Sequence, residues 1–165
     1  MRLLPRLVTA SLLLALSGCS SGPAPLTKAE YVTKANAICK TFNQRLDAAL
    51  GSASASNRGD VVRTFDTALQ LGVAQENELK ALVPPKEDQA TVNAMFAAYD
   101  KAVRAVTALK DATAKGDQSQ VIDFTGTPPP DLQGPLDAVN KAGAESDRLF
   151  DAYGASECGS GNSSG

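Results

Sequence analysis

Residues 27–51 read T-K-A-E-Y-V-T-K-A-N-A-I-C-K-T-F-N-Q-R-L-D-A-A-L-G, and this stretch decides the fold. Thr27 and Glu30 stand three apart ahead of an apolar series. That is a capping box, in which each side chain satisfies the other residue's backbone N–H. The apolar positions that follow are Tyr31, Ala35, Ile38, Phe42, Leu46 and Ala49, at steps of 4, 3, 4, 4 and 3. Such steps keep them all on one face of a helix. Gly51 and the Ser/Ala run to Ser56 end it.

The same period recurs three times downstream. A second helix starts near Asn57 or Asp60, carries Val61, Phe65, Leu69, Gly72, Leu79 and Val83 on its stripe, and is stopped by Pro84-Pro85. A third opens on Lys86-Glu87-Asp88, whose acids suit a helix N-terminus. It carries Val92, Phe96, Tyr99, Val103 and Val106, and ends at Gly116. Asp117 to Phe124 is read as one short turn of helix, and Thr127-Pro128-Pro129-Pro130 as a stiff loop. The last helix begins between Asp131 and Pro135 and bears Leu136, Val139, Gly143, Phe150 and Tyr153, with Gly154 as its C′ residue. Four helices of similar length on short links predict an all-α, up-down-up-down four-helix bundle. Composition agrees: aromatic residues are only 5%, Trp is absent and Ala dominates the apolar set. Ala is the best helix former and lets helices approach closely.

Ahead of this domain lies a different kind of segment. Arg2 and Arg6 precede an apolar stretch from Leu7 to Leu16, broken only by Thr9 and Ser11. Ten residues are too few to span a bilayer as a helix, which takes about twenty, but suit a signal peptide. Leu16-Ser17-Gly18-Cys19 then resembles the lipobox of bacterial lipoproteins. The Cys19 thiol would take a diacylglycerol as a thioether, and two acyl chains anchor stably where one is marginal. The expected layout is a signal peptide over 1–18, lipidated Cys19 and a polar spacer over 19–26, the bundle over 27–158, and a disordered Gly/Ser tail over 159–165. Loss of residues 1–18 leaves 14 basic and 18 acidic side chains, a net charge of −4. That balance is unlike the basic footprint of a nucleic-acid binder. It also leaves the lipid, rather than charge, to hold the protein on the outer face of the cell membrane.

Two cysteines remain, Cys39 and Cys158, and only one pairing is open to them in an export compartment. Cys39 lies twelve residues into the first helix, about 18 Å from its start. In an antiparallel bundle the fourth helix ends beside that start. The four residues after Gly154 can climb roughly 13 Å toward Cys39.

Taken together, Tyr31–Lys40 (Y-V-T-K-A-N-A-I-C-K), Leu82-Val83-Pro84-Pro85 and the closing Tyr153–Cys158 (Y-G-A-S-E-C) resemble small exported helical lipoproteins of actinobacteria. The resemblance implies a compartment and a bundle fold, and carries no activity with it.

Catalytic and cofactor motifs are mostly missing. The chain has no His, so no Ser-His-Asp or Cys-His arrangement can form. It has no P-loop, no dinucleotide fingerprint and no C-x-x-C, and no metal or cofactor is expected. Asp147 and Asp151, four apart, are read as a solvated surface pair, and Lys110 as snorkelling to solvent. Glu76 breaks the pattern, because its angle falls between Phe65 and Leu69 inside the apolar stripe of the second helix. A carboxylate there must be paired or have its pKa raised. The favoured reading has Glu76 reach Lys80 or Arg45; the sharper one has it line an internal ligand cavity with Tyr31 or Tyr99. The expected function is a non-enzymatic binding or interaction module on a lipid tether, serving an envelope protein or a small ligand. A structural or regulatory envelope protein and a carboxylate-based enzyme are the alternatives.

Cys19→Ala is expected to release or mislocalise the protein while its helical circular dichroism stays unchanged. A variant still membrane-bound after high-salt washing would overturn the anchor.

Overall fold

The computed structural model describes residues 23–51, 57–122 and 127–163. The expected signal peptide, Cys19 and the first spacer residues lie outside the described residues. Four helices make up the domain: α1 (Lys28–Gly51), α2 (Arg58–Lys80), α3 (Gln89–Lys115) and α4 (Pro130–Tyr153). Short 3-10 turns cover Lys86–Asp88, Ser156–Cys158 and Ser160–Ser163, and the described residues contain no strand.

Local chemistry sets the helix ends. The Thr27 N–H donates to Glu30 Oε2 at 2.8 Å and the Glu30 N–H to Thr27 Oγ1 at 3.3 Å, so the capping box opens α1. The Thr27 hydroxyl beside Glu30 holds that carboxyl below its ordinary pKa. Asn57 caps α2 by accepting the Asp60 N–H at 3.0 Å. Helix α2 stops at Lys80, short of the expected Val83, and leaves the Val83 carbonyl to accept the Leu26 N–H at 2.9 Å.

Three further boundaries differ from expectation. Lys86–Asp88 winds as a 3-10 turn before α3, and Asp88 makes no cap bond because its Oδ2 accepts the Tyr153 hydroxyl at 2.8 Å. Helix α4 starts one residue early, at Pro130, whose missing N–H would have been unsatisfied at that position anyway. Asp117–Gln120 is a hydrogen-bonded turn rather than helix, closed by the Gln120 N–H on the Asp117 carbonyl at 3.0 Å. Part of that predicted helical turn, through Phe124, lies outside the described residues.

The helices alternate in direction. The start of α1, the end of α2, the start of α3 and the end of α4 share one end, tied by Leu26–Val83 and by Tyr153–Asp88. Packing runs in order, α1 on α2, α2 on α3 and α3 on α4, the last being the most extensive. Helix α1 meets α4 chiefly through the segment that follows α4. There Gly154 adopts φ 103°. Its N–H bonds the Asp151 carbonyl at 3.0 Å and the Ala155 N–H bonds Phe150 at 2.9 Å, which is a Schellman ending. Chain reversal brings Cys158 to Cys39, with Cα atoms 5.0 Å apart in a disulfide. Asn36 accepts the Glu157 N–H at 3.0 Å, and Asn43 donates to the Glu157 carbonyl at 3.0 Å. Ser160 donates its hydroxyl to Asp151 at 2.6 Å, so the expected disordered tail is instead a folded turn through Ser163.

Two core clusters stack along the bundle. One, at the disulfide end, gathers Tyr31, Ala35, Leu79, Val92, Met95, Phe150 and Tyr153; the other gathers Val61, Leu109, Ile122 and Leu132. Next to the second sits Arg58, only 2% exposed. Its Nε donates to Gln120 Oε1 at 2.8 Å and its terminal nitrogen pairs with Asp131 at 2.9 Å, joining α2, the α3–α4 loop and α4. A Cβ on Gly116 would lie 2.4 Å from the Arg58 guanidinium carbon. Glycine is needed there for space and not for conformation, since its φ is −81°.

Gly116→Ala is therefore expected to cost about 1–3 kcal/mol by overpacking, read from the urea midpoint at unchanged m-value. An unaltered midpoint would show that the guanidinium moves aside freely.

Candidate functional site

Between the two clusters the bundle is built from small residues. Ala102 on α3 and Gly143 on α4 face one another across a cavity of about 160 Å³. A Cβ placed on Gly143 would meet nothing within 4 Å, so packing does not require glycine there. Phe42 of α1, Leu79 of α2, Phe150 of α4 and the Cys39–Cys158 bridge supply the apolar walls. Asn43, Gln75, Tyr99, Ser146, Asp147 and Glu157 supply polar groups.

The polar groups divide by what already holds them. Tyr99 donates its hydroxyl toward Gln75 Oε1 at 2.9 Å and lies 3.2 Å from the Gly72 carbonyl. Gly72 allows that approach, because a Cβ there would come 3.2 Å from the same hydroxyl. Burial, with smaller contributions from Glu76 and Asp100, pushes the Tyr99 pKa up to about 12. Asn43 is bound to the Glu157 backbone. Gln75 and Ser146 are buried, at 6% and 4% exposure. The Gln75 amide nitrogen and the Ser146 hydroxyl make no hydrogen bond among the described residues and keep contact with solvent, since no fully buried side-chain nitrogen or oxygen there lacks a partner. The other two buried polar residues are held within the protein, Arg58 by Gln120 and Asp131 and Thr113 by the Leu109 carbonyl at 2.8 Å.

Asp147 is half-buried at the cavity edge. Burial, and then the neighbouring charge of Asp151, raises its carboxyl above the ordinary range. This corrects the reading of Asp147 and Asp151 as a solvated pair. Asp151 turns outward to Ser160, while Asp147 borders the cavity. The signal was present in α4, where Ser146 and Asp147 lie to either side of the Gly143–Phe150 direction on the wheel and so flank the inward stripe.

The three residues singled out for a ligand cavity separate. Only Tyr99 lines it. Glu76 forms an ion pair with Lys80 one turn along α2, with Asp100 of α3 at 4.0 Å from the same ammonium, and has no ion pair with Arg45. The Glu76 hydrogen bond raises the Lys80 pKa. Tyr31 is in the core, edge-on to Tyr153 with ring centroids 5.8 Å apart, and burial pushes its pKa up to about 12. Lys110 does not simply extend into water, but pairs with Asp66 at 2.9 Å.

No group of three or more metal-ligating side chains occurs among the described residues, and no helix among them is long and apolar enough to cross a membrane. No protein-family model, no curated protein and no solved structure matches the chain.

The raised carboxyl has a stability consequence with a definite sign. A carboxyl whose pKa is higher in the folded than in the unfolded chain stabilises less as pH rises from its unfolded value, about 3.9, through the folded one. At pH 7 ionised Asp147 therefore opposes folding. Asp147→Asn should raise the melting temperature by a few degrees at pH 7 and leave it unchanged near pH 3. A lower melting temperature at pH 7 would mean that a partner stabilises the carboxylate.

Proposed function

We propose that this chain is a lipid-anchored, extracytoplasmic binding protein without enzymatic activity, and that its ligand is a small molecule held inside the bundle. One observation carries the ligand site: a cavity between two packed cores, whose wall holds the Gln75 amide and the Ser146 hydroxyl where solvent, or a guest, can reach them. Apolar walls with a few convergent polar groups are the usual form of a small-molecule pocket.

The anchor and compartment rest on the charged start, the short apolar stretch and L-S-G-C at Leu16–Cys19. A disulfide between the two remaining cysteines suits an oxidising compartment outside the cytoplasm. The resemblance to exported actinobacterial lipoproteins supports the same placement.

Native mass spectrometry of the delipidated protein, purified from its own host, tests this reading. A small molecule should be retained, and it should be lost when Gly143→Leu fills the cavity. Retention of a protein partner alone, with Gly143→Leu binding it normally, would favour an interaction module instead.

A further inference from the structure

We infer that the cavity takes a small organic ammonium ion, its cation at Asp147 and its apolar body against Phe42 and Phe150. The assignment rests on the cavity reading above and names the ligand's chemistry.

Charge comes first. Asp147 and Glu157 are the ionisable acids of the lining, and no Lys or Arg belongs to it. An anion brought inside would meet the Asp147 carboxylate without a cation to compensate it, and like-charge juxtaposition in a partly dehydrated site costs several kcal/mol. A neutral guest would leave the partly buried Asp147 carboxylate unpaired. An ammonium group relieves it, and donates up to three hydrogen bonds. The Ser146 hydroxyl, one residue before Asp147, makes no hydrogen bond among the described residues, is open to the cavity and offers a further acceptor on the same wall.

Size and lining set the rest of the guest. A cavity near 150 Å³ lined by aliphatic and aromatic groups accommodates benzene. About 160 Å³ therefore fits one ring or its aliphatic equivalent with a short amine. The Phe42, Tyr99 and Phe150 rings border this space, and aromatic faces attract organic cations. A bare metal ion fits less well. Hard cations take six or more oxygen ligands at 2–2.6 Å, and the acids here come from different elements without forming a ligating group.

Thermal melts and titration calorimetry of the full chain in detergent, with benzylammonium chloride and with benzyl alcohol, test the inference. Benzylammonium should raise the melting temperature and bind at least tenfold more tightly than the alcohol. Asp147→Asn should remove most of that preference, and Gly143→Leu should abolish both interactions. Equal binding of the two probes, lost in Gly143→Leu, would overturn the cationic assignment and leave the cavity reading standing. Binding of neither probe, or binding unaffected by cavity filling, would overturn both. Ala102→Leu fills the same space from α3 and replaces Gly143→Leu if that variant does not fold.

Discussion

The bridge between Cys39 and Cys158 is the constraint on which the remaining architecture depends. Successive helices pack α1 to α2 to α3 to α4, which leaves the seam between the first and last to be closed some other way. The chain closes it with a covalent hook: a left-handed glycine at 154, a reversal, and a cysteine fixed to the middle of α1. In the chain-entropy model, cross-linking across about 120 residues destabilises the unfolded ensemble by roughly 5 kcal/mol. Asn36 and Asn43, seven residues apart on one face of α1, hold the backbone of the hook on either side of the bridge. Every later feature of the seam inherits its position from these contacts.

The cavity is a product of that closure. A bundle whose ends are filled by Tyr31, Phe150 and Tyr153 on one side and by Leu109 and Leu132 on the other keeps its helices apart at a distance set by large side chains. Gly143 and Ala102 in between are too small to fill the gap. Space of this kind is ordinarily costly, because lining atoms lose their dispersion partners. The polar groups that border it add to the cost.

Much of the architecture could be read from the chain. Periodicity found the four helices, Thr27/Glu30 and Gly154 marked their ends, and two cysteines left a single intramolecular pairing. What escaped was governed by depth and by distant neighbours. The period of a helix gives the angle of Asp147 but not the hook that shelters it, which arrives from Cys158. Glu76 lies at an inward angle, yet Lys80 is within reach one turn on, and local pairing decides its direction. Arg58 precedes the apolar stripe of α2 and gave no hint of burial. Its shelter is assembled from Gln120, Thr113 and Asp131, which no local pattern connects. Ser160 is similar, since a Gly/Ser composition does not reveal the carboxylate of Asp151 that folds it.

Under the proposed lipid anchor, the hydrogen bond from Leu26 to Val83 would also set how the protein stands on a membrane. It delivers the incoming chain beside the α2–α3 turn. Only six residues separate Leu26 from Cys19, a leash of at most about 25 Å. Lipid on Cys19 would therefore place the α2–α3 turn nearest the bilayer, and would point the Arg58–Asp131 end outward. Cys39 lies eleven residues beyond Lys28, so the cavity begins roughly 16 Å above that lower end. Its half-buried rim residues Asn43, Asp147 and Glu157 border the α1–α4 seam, so the mouth would look sideways. Solutes moving parallel to the membrane would meet it before anything dissolved in the lipid.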